Sequence, residues 1–229
     1  MRQAIACSLA GAFLFLSQAV QAEQTTYTAK DSLGNSAFTA VFDAVLGERI
    51  TAVSSAIGCT ITVDDSQKEG SAKCSVPLTS IMVDNEPTKT QHFQEWTTNK
   101  KSEAKECTLE LDVPKVSVDM ALEAKKPTAF STEGTFTICG RKREGGKPET
   151  ISGSIVYLPP GAYGKNPTLR VRAKIEKFNR EEYGISPAAT SGWLARVQQL
   201  APVVAAEGTL EVNVFATAPL EETAAKKSD

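Results

Sequence analysis

A single histidine limits the chemistry that this chain of 229 residues could perform. His92 has no second histidine with which to form a two-histidine metal site or a proton relay. A Ser-His-Asp arrangement would need a nucleophile, but the chain contains no Gly-x-Ser-x-Gly elbow. Most acidic residues alternate with apolar ones, and no spacing selects a carboxylate pair for glycoside hydrolysis. We therefore predict no catalytic residue, no metal ligand and no enzyme activity, and we interpret His92 as a hydrogen-bonded structural residue.

The N-terminus has the pattern of a secretory signal peptide. Arg2 supplies a short positive region, residues 4–20 are largely apolar, and Val20-Gln21-Ala22 approximates a small-x-small cleavage site. We expect cleavage after Ala22, with a mature protein in the periplasm or outside the cell. No other apolar run is long enough to suggest a membrane anchor.

Four cysteines remain after this processing, and an even number in an exported chain indicates disulfides. Their three pairings are all open from the count alone. Cys59 and Cys74 flank a predicted hairpin at similar distances from its turn, which favours that pair and leaves Cys107 with Cys139. No Cys-x-x-Cys spacing suggests zinc or thioredoxin-like chemistry.

The charge balance argues against some partners. The chain carries 25 Lys and Arg against 27 Asp and Glu, and loss of Arg2 makes the mature chain slightly more acidic. This predicts no nucleic-acid binding, because a nucleic-acid site needs a basic surface. The oligomeric state stays open.

Strand patterns run through most of the mature chain. In the segment 169–175, Leu, Val, Ala and Ile alternate with Arg, Arg and Lys, which is the period-two pattern of a strand with one buried face. Similar patterns occur at 38–44, 57–63, 74–78, 107–113, 116–122, 135–140, 151–158 and 210–216. About eight strands separated by turn residues predict an all-β antiparallel sandwich or barrel. Pro114 interrupts one strand, at a bulge or an edge.

Two segments are predicted to be helical instead. The first is 90–101, which carries Phe93 and Trp96 three residues apart. The second begins near Trp193 and ends before Pro202, with amphipathic spacing that suggests a cap on one barrel end. We assign residues 1–22 to the signal peptide, 23–218 to one barrel domain and 219–229 to a flexible charged tail.

Three stretches together resemble the YceI-like family. They are Val76 to Phe93, which is similar to a family strand and its following histidine-bearing helix; Gly134 to Gly140, similar to a strand that ends in Thr-x-x-Gly; and Arg180 to Ile185, similar to an Arg-x-x-Phe/Tyr-Gly-Ile turn. The likeness extends from about Tyr27 to Ala218. The chain departs from the family pattern at Thr90, at Asn35-Ser36 and at Cys139.

The resemblance implies an eight-stranded lipocalin-like barrel that binds a polyisoprenoid, such as a quinone tail or prenyl diphosphate, in its lumen. It implies a non-catalytic periplasmic protein that sequesters or carries this lipid, with transient membrane contact and no cofactor other than the bound lipid or quinone. On this hypothesis, Trp96 and Trp193 lie near an opening, and the lumen is lined by Phe38, Phe42, Phe136, Ile138, Tyr157, Val171, Ile175 and Phe178. The alternative hypothesis is a solid-cored barrel that has a structural role or binds protein partners in the cell envelope.

Overall fold

The computed structural model describes residues 24–30, 35–44, 47–64, 66–98, 104–185 and 204–219. Within them it contains one α-helix, α1, at Pro87–Thr98, and twelve β-strands. The strands are β1 Gln24–Ala29, β2 Ala37–Ala44, β3 Arg49–Ser54, β4 Gly58–Asp64, β5 Glu69–Pro77, β6 Met82–Val83, β7 Thr108–Ser117, β8 Pro127–Ile138, β9 Arg141–Lys142, β10 Glu149–Leu158, β11 Thr168–Asn179 and β12 Val204–Thr217.

The sheet closes on itself as an eight-stranded antiparallel barrel. Its strands follow the order β1-β4-β5-β7-β8-β10-β11-β12, and β12 pairs with β1 through Thr217 and Thr28. Closure leaves no free edge around this ring. The predicted barrel class is therefore confirmed, and the sandwich is excluded.

Three of the eight positions in the ring are occupied by two strands in line. β1 and β2 both run antiparallel to β12, so the chain continues in one direction from one strand to the next. β4 pairs with β1 and β3 pairs with β2, so β3 and β4 share the next position. β5 pairs with β4 and β6 pairs with β3, so β5 and β6 share the third. Sequence patterns missed β1, β3 and β6 because each is short and packs against only part of a neighbour.

Alternation places one face of each strand in the lumen. On β11, Leu169 and Ile175 are buried while Arg172 and Glu176 are exposed, as the period-two pattern predicts. β7 runs through Pro114, where the pairing with β5 shifts by one residue between Val113 and Val116. The proline thus lies at a bulge, where its missing N–H costs no ladder hydrogen bond.

Helix α1 begins earlier than the pattern predicted, at Pro87, and its last described residue is Thr98. Proline suits the first position of a helix because the N–H there has no partner within the helix. α1 lies beside β6, outside the barrel ring. No helix among the described residues is long and apolar enough to cross a membrane. The predicted signal peptide, the Trp193 helix and most of the charged tail lie outside the described residues.

Candidate functional site: an apolar lumen

One cavity in the barrel, called the outer cavity, lies beside the β4–β5 turn. It encloses about 780 Å³, part of which is open solvent at its mouth. Gln67, Lys68 and Glu69 stand at this mouth, and the accessible surface of the wall is apolar. Further in, the wall includes Ile61, Val63, Ala72, Val113, Val116, Val118, Leu122, Phe130, Ile155, Leu169, Val171 and Val214.

A second cavity, the inner cavity, continues the lumen toward the other end of the barrel. It encloses about 420 Å³, again including some open space. Among the residues that line only this cavity, seven are large and apolar: Phe38, Ile57, Val76, Leu109, Phe136, Ile175 and Leu210. Its wall is also almost entirely apolar, so neither cavity offers the hydrogen-bond partners that a buried polar ligand needs.

The two cavities share five lining residues, which we call the waist. They are Cys74, Leu111, Ile151, Ala173 and Val212. Cys74 and Leu111 are directly paired on β5 and β7, and Ala173 and Val212 are directly paired on β11 and β12. The cavities therefore adjoin in one lumen, and the waist is its boundary between outer and inner parts.

Beyond the inner cavity, an aromatic cluster fills the barrel interior. Phe178 contacts the other three members, with ring centroids 6.3 Å from Phe42, 5.4 Å from Phe136 and 5.0 Å from Tyr183. Two of these contacts are edge-on and the Tyr183 contact is stacked, which are the favoured geometries for aromatic pairs. Phe136 belongs both to this cluster and to the inner cavity wall.

A buried polar network adjoins the aromatic cluster. The hydroxyl of Tyr183 donates a 2.7 Å hydrogen bond to Glu149 Oε1, and Arg143 Nη1 lies 3.5 Å from Glu149 Oε2. Arg143 also pairs with Glu182 through its Nε. Burial raises the pKa of Tyr183, and the bond to Glu149 raises it further. The hydrogen bond from Arg143 lowers the pKa of Glu182. The arrangement keeps Tyr183 protonated as a donor and joins β10 to the turn after β11.

Arg180 joins two parts of the chain that are distant in sequence. Its guanidinium donates to the carbonyls of Ile185, Val204 and Ala205 at 2.6, 2.9 and 3.1 Å. Burial lowers the pKa of Arg180 from its usual high value. The Arg180 side chain therefore binds both Ile185 and Val204, the residues that flank the segment 186–203.

The predicted ligand-binding residues, eight in the lining and Trp96 and Trp193 near an opening, separate into groups. Phe38, Phe136 and Ile175 line the inner cavity, and Val171 lines the outer cavity. Trp193 lies outside the described residues. The remaining five line neither cavity: Phe42, Trp96, Ile138, Tyr157 and Phe178.

Each of these five has a local physical reason for its position. Phe42 and Phe178 pack into the aromatic cluster, and Ile138 is buried at the end of β8 past Phe136. Tyr157 lies near Tyr27, whose pKa is raised by burial and then by the Tyr157 charge. Trp96 stacks on His92, with ring centroids 6.2 Å apart, on the face of α1.

Both predicted disulfides are present. Cys59–Cys74 joins directly paired residues of β4 and β5, and Cys107–Cys139 joins the start of β7 to the turn after β8. Cys59 and Cys74 belong to the wall of the outer cavity. The hairpin spacing was thus sufficient to choose among the three pairings.

The residues that the structure describes hold no cluster of metal ligands. His92 is exposed on α1, and no group of three or more His, Cys, Asp or Glu side chains there could hold a metal ion. Sequence analysis missed the Glu149 network, because a glutamate at the start of a strand has no local signal of burial.

At the level of sequence, no family model and no curated protein matches this chain. A solved structure does match it in fold: a polyisoprenoid-binding domain from Saccharophagus degradans, implicated in plant cell wall breakdown. The TM-score is 0.57 at 11% identity, and the match covers 86% of this chain and 100% of that one. The chain has the YceI-like fold. The fold expected from the three short motifs is therefore confirmed, while the low identity leaves the ligand of this chain to be argued from its own lumen.

Proposed function

We propose that this protein binds a polyisoprenoid or a similar long apolar lipid in its lumen, without catalysis, and sequesters or carries it in the periplasm. The observation that carries the proposal is the outer cavity, an apolar space whose charged lining residues, Lys68 and Glu69, lie at its mouth. An apolar chain gains about 0.8 kcal/mol for each methylene removed from water, so such a space favours lipid tails.

The site chemistry supports binding rather than turnover. The lumen wall supplies apolar surface, whereas the buried polar groups at Glu149 and Tyr183 bond to each other. The fold is shared with a domain that binds a polyisoprenoid, which supports the same class of ligand here. Two disulfides indicate a non-reducing compartment, in keeping with export to the periplasm. Loading would involve transient contact with a membrane.

The alternative, a solid-cored barrel that serves as a structural or interaction module, predicts a lumen filled by side chains. The outer and inner cavities run against that prediction. Binding of an apolar probe separates the two functions, because a filled barrel offers the probe no interior site.

The test compares the protein with two variants in which the same substitution is made on opposite faces of the sheet. Val171→Phe fills the outer cavity, whereas Val53→Phe lies at an outward position that is already 42% exposed. We expect native mass spectrometry of the unsubstituted protein to show a co-purified lipid. In titrations of delipidated protein, Val171→Phe should weaken binding of a fluorescent apolar probe about tenfold, and Val53→Phe should leave it unchanged. No lipid and no probe uptake by the unsubstituted protein would overturn the proposal.

A further inference from the structure

We infer that the outer and inner cavities form one channel, and that Ala173 at the waist determines how long an apolar chain this channel accepts. The inference rests on the proposed function and adds a specificity-determining residue to it. It identifies the ligand class more narrowly, as a lipid with a single linear chain that threads the waist.

The path through the barrel supports this. A chain that enters beside the β4–β5 turn meets the outer cavity first and reaches the inner cavity only by passing the waist. Past the inner cavity it meets the aromatic cluster, in which Phe136 and Phe178 are packed 5.4 Å apart. A short chain therefore fits in the outer cavity alone, whereas a longer chain gains more burial only if the waist admits it.

Ala173 is the small residue of the waist. It pairs with Gly153 on β10, across which the Phe130 ring packs, and with Val212 on β12, so its methyl group is the smallest side chain that the waist presents to the lumen. The waist residues contributed by β5, β7 and β10 are Cys74, Leu111 and Ile151. Protein interiors are close-packed, so the width at this level is set by side-chain size. An isobutyl group in place of the Ala173 methyl group would occupy the passage.

The experiment measures binding of linear prenyl alcohols of increasing length, geraniol and geranylgeraniol, to delipidated full-length protein. The unsubstituted protein should bind geranylgeraniol at least tenfold more tightly than geraniol. In Ala173→Leu, geraniol affinity should stay within about twofold, while geranylgeraniol affinity should fall about tenfold. Ala72→Leu is the matched control, because Ala72 lines only the outer cavity and its enlargement should weaken both alcohols.

The outcomes separate this inference from the proposed function. If the unsubstituted protein binds neither alcohol, the proposed function fails and the inference fails with it. If the unsubstituted protein binds both and Ala173→Leu weakens both equally, or neither, the inference alone is overturned. Should Ala173→Leu fail to fold by circular dichroism, Val212→Leu narrows the same waist from β12 and must show the same length-dependent loss.

Discussion

Tyr183 and Glu149 are hydrogen-bonded partners deep in one end of the barrel, with 2.7 Å between the hydroxyl and Oε1. Tyr183 is 2% exposed and Glu149 is 3% exposed, so neither can turn to water instead. Tyr183 belongs to the turn that follows β11, whereas Glu149 begins β10. The bond thus fastens the turn at residues 180–183 to the barrel.

Removal of this hydroxyl should destabilise the protein. Tyr183→Phe keeps the stacking on Phe178 but leaves a buried carboxylate oxygen without its donor, which costs about 1–3 kcal/mol of unfolding free energy. Urea denaturation followed by circular dichroism measures the loss. Tyr163→Phe is the control, since Tyr163 is 39% exposed and should change stability by less than about 0.5 kcal/mol. Equal stability of the two variants would contradict a structural role for the bond.

A lysine cannot replace Arg180. Its ammonium lacks the planar fork that reaches the carbonyls of Ile185, Val204 and Ala205 together. We expect Arg180→Lys to lower the unfolding free energy by about 2 kcal/mol, because carbonyls in a partly buried site lose their donors. Amide hydrogen exchange should also accelerate in the first residues of β12. Arg172→Lys, at an exposed position of β11, serves as the comparison and should leave both measurements unchanged.

The two disulfides should stabilise the fold to different extents. In the chain-entropy model, closing a longer loop restricts the unfolded chain more, and the separations are 15 residues for Cys59–Cys74 and 32 for Cys107–Cys139. Replacing the first pair by alanines should cost about 3 kcal/mol and the second about 0.7 kcal/mol more. Guanidinium denaturation of the two double variants tests this order, and the reverse order would show that packing around the sulfurs outweighs loop entropy.

Acid should weaken the turn after β6. Burial alone would raise the pKa of Asp84, but the hydrogen bonds from Lys89 and from the Thr51 N–H outweigh it and lower that pKa. A carboxylate with a lowered pKa stabilises the fold above the unfolded-state pKa of about 4, and this contribution is lost as pH falls through the lowered folded-state value.

Asp84→Asn should therefore reduce stability by about 1.5 kcal/mol at neutral pH and flatten its decline on acidification. Asparagine tolerates the left-handed backbone of this position, where φ is 49°, so the substitution tests the charge rather than the turn. Thermal unfolding between neutral and acidic pH measures the profile. If the stability of Asp84→Asn falls with pH as steeply as that of the unsubstituted protein, Asp84 does not cause the loss of stability in acid.

Gly153 should not tolerate a side chain. A Cβ there would collide with the backbone carbonyl of Arg172 and lie 2.9 Å from the Phe130 ring, which packs across the glycine from β8. Gly153→Ala should lose about 3 kcal/mol, because strand backbone must shift. At Gly58, an added Cβ would meet only Ser75 Oγ at 3.8 Å, so Gly58→Ala should be nearly neutral in the same thermal unfolding assay. Similar losses in both would indicate a general cost of removing strand glycines.

Much of the fold could be predicted because its signals are local. The alternation along 169–175 specifies a two-faced strand whatever its neighbours are, and the hairpin spacing around Cys59 and Cys74 brings those cysteines opposite each other. Short strands such as β3 and β6 carry too few residues for a period to show, and their pairing was visible only in the barrel.

The candidate site was predictable only in part. Alternation indicates that Phe38 and Val171 point inward, but Phe178 reaches the same face only because β11 has a bulge between Ile175 and Phe178. Alternation also does not say which inward residue meets open space and which meets another ring. That depends on how far along the barrel each one lies and on which side chains face it from distant strands. The burial of Glu149 against Tyr183 also depends on contacts between residues that are distant in sequence.

By itself the sequence determined the strand alternation, the hairpin pairing of the cysteines and the apolar character of the inward face, because each depends on residues close together in the chain. Only the tertiary structure decided that Thr28 meets Thr217 to close the barrel, and that a waist with Ala173 on one wall lies between two cavities. Closure and cavity shape depend on contacts between residues far apart in sequence. The space left in the lumen is set by the combined side-chain volumes of several strands.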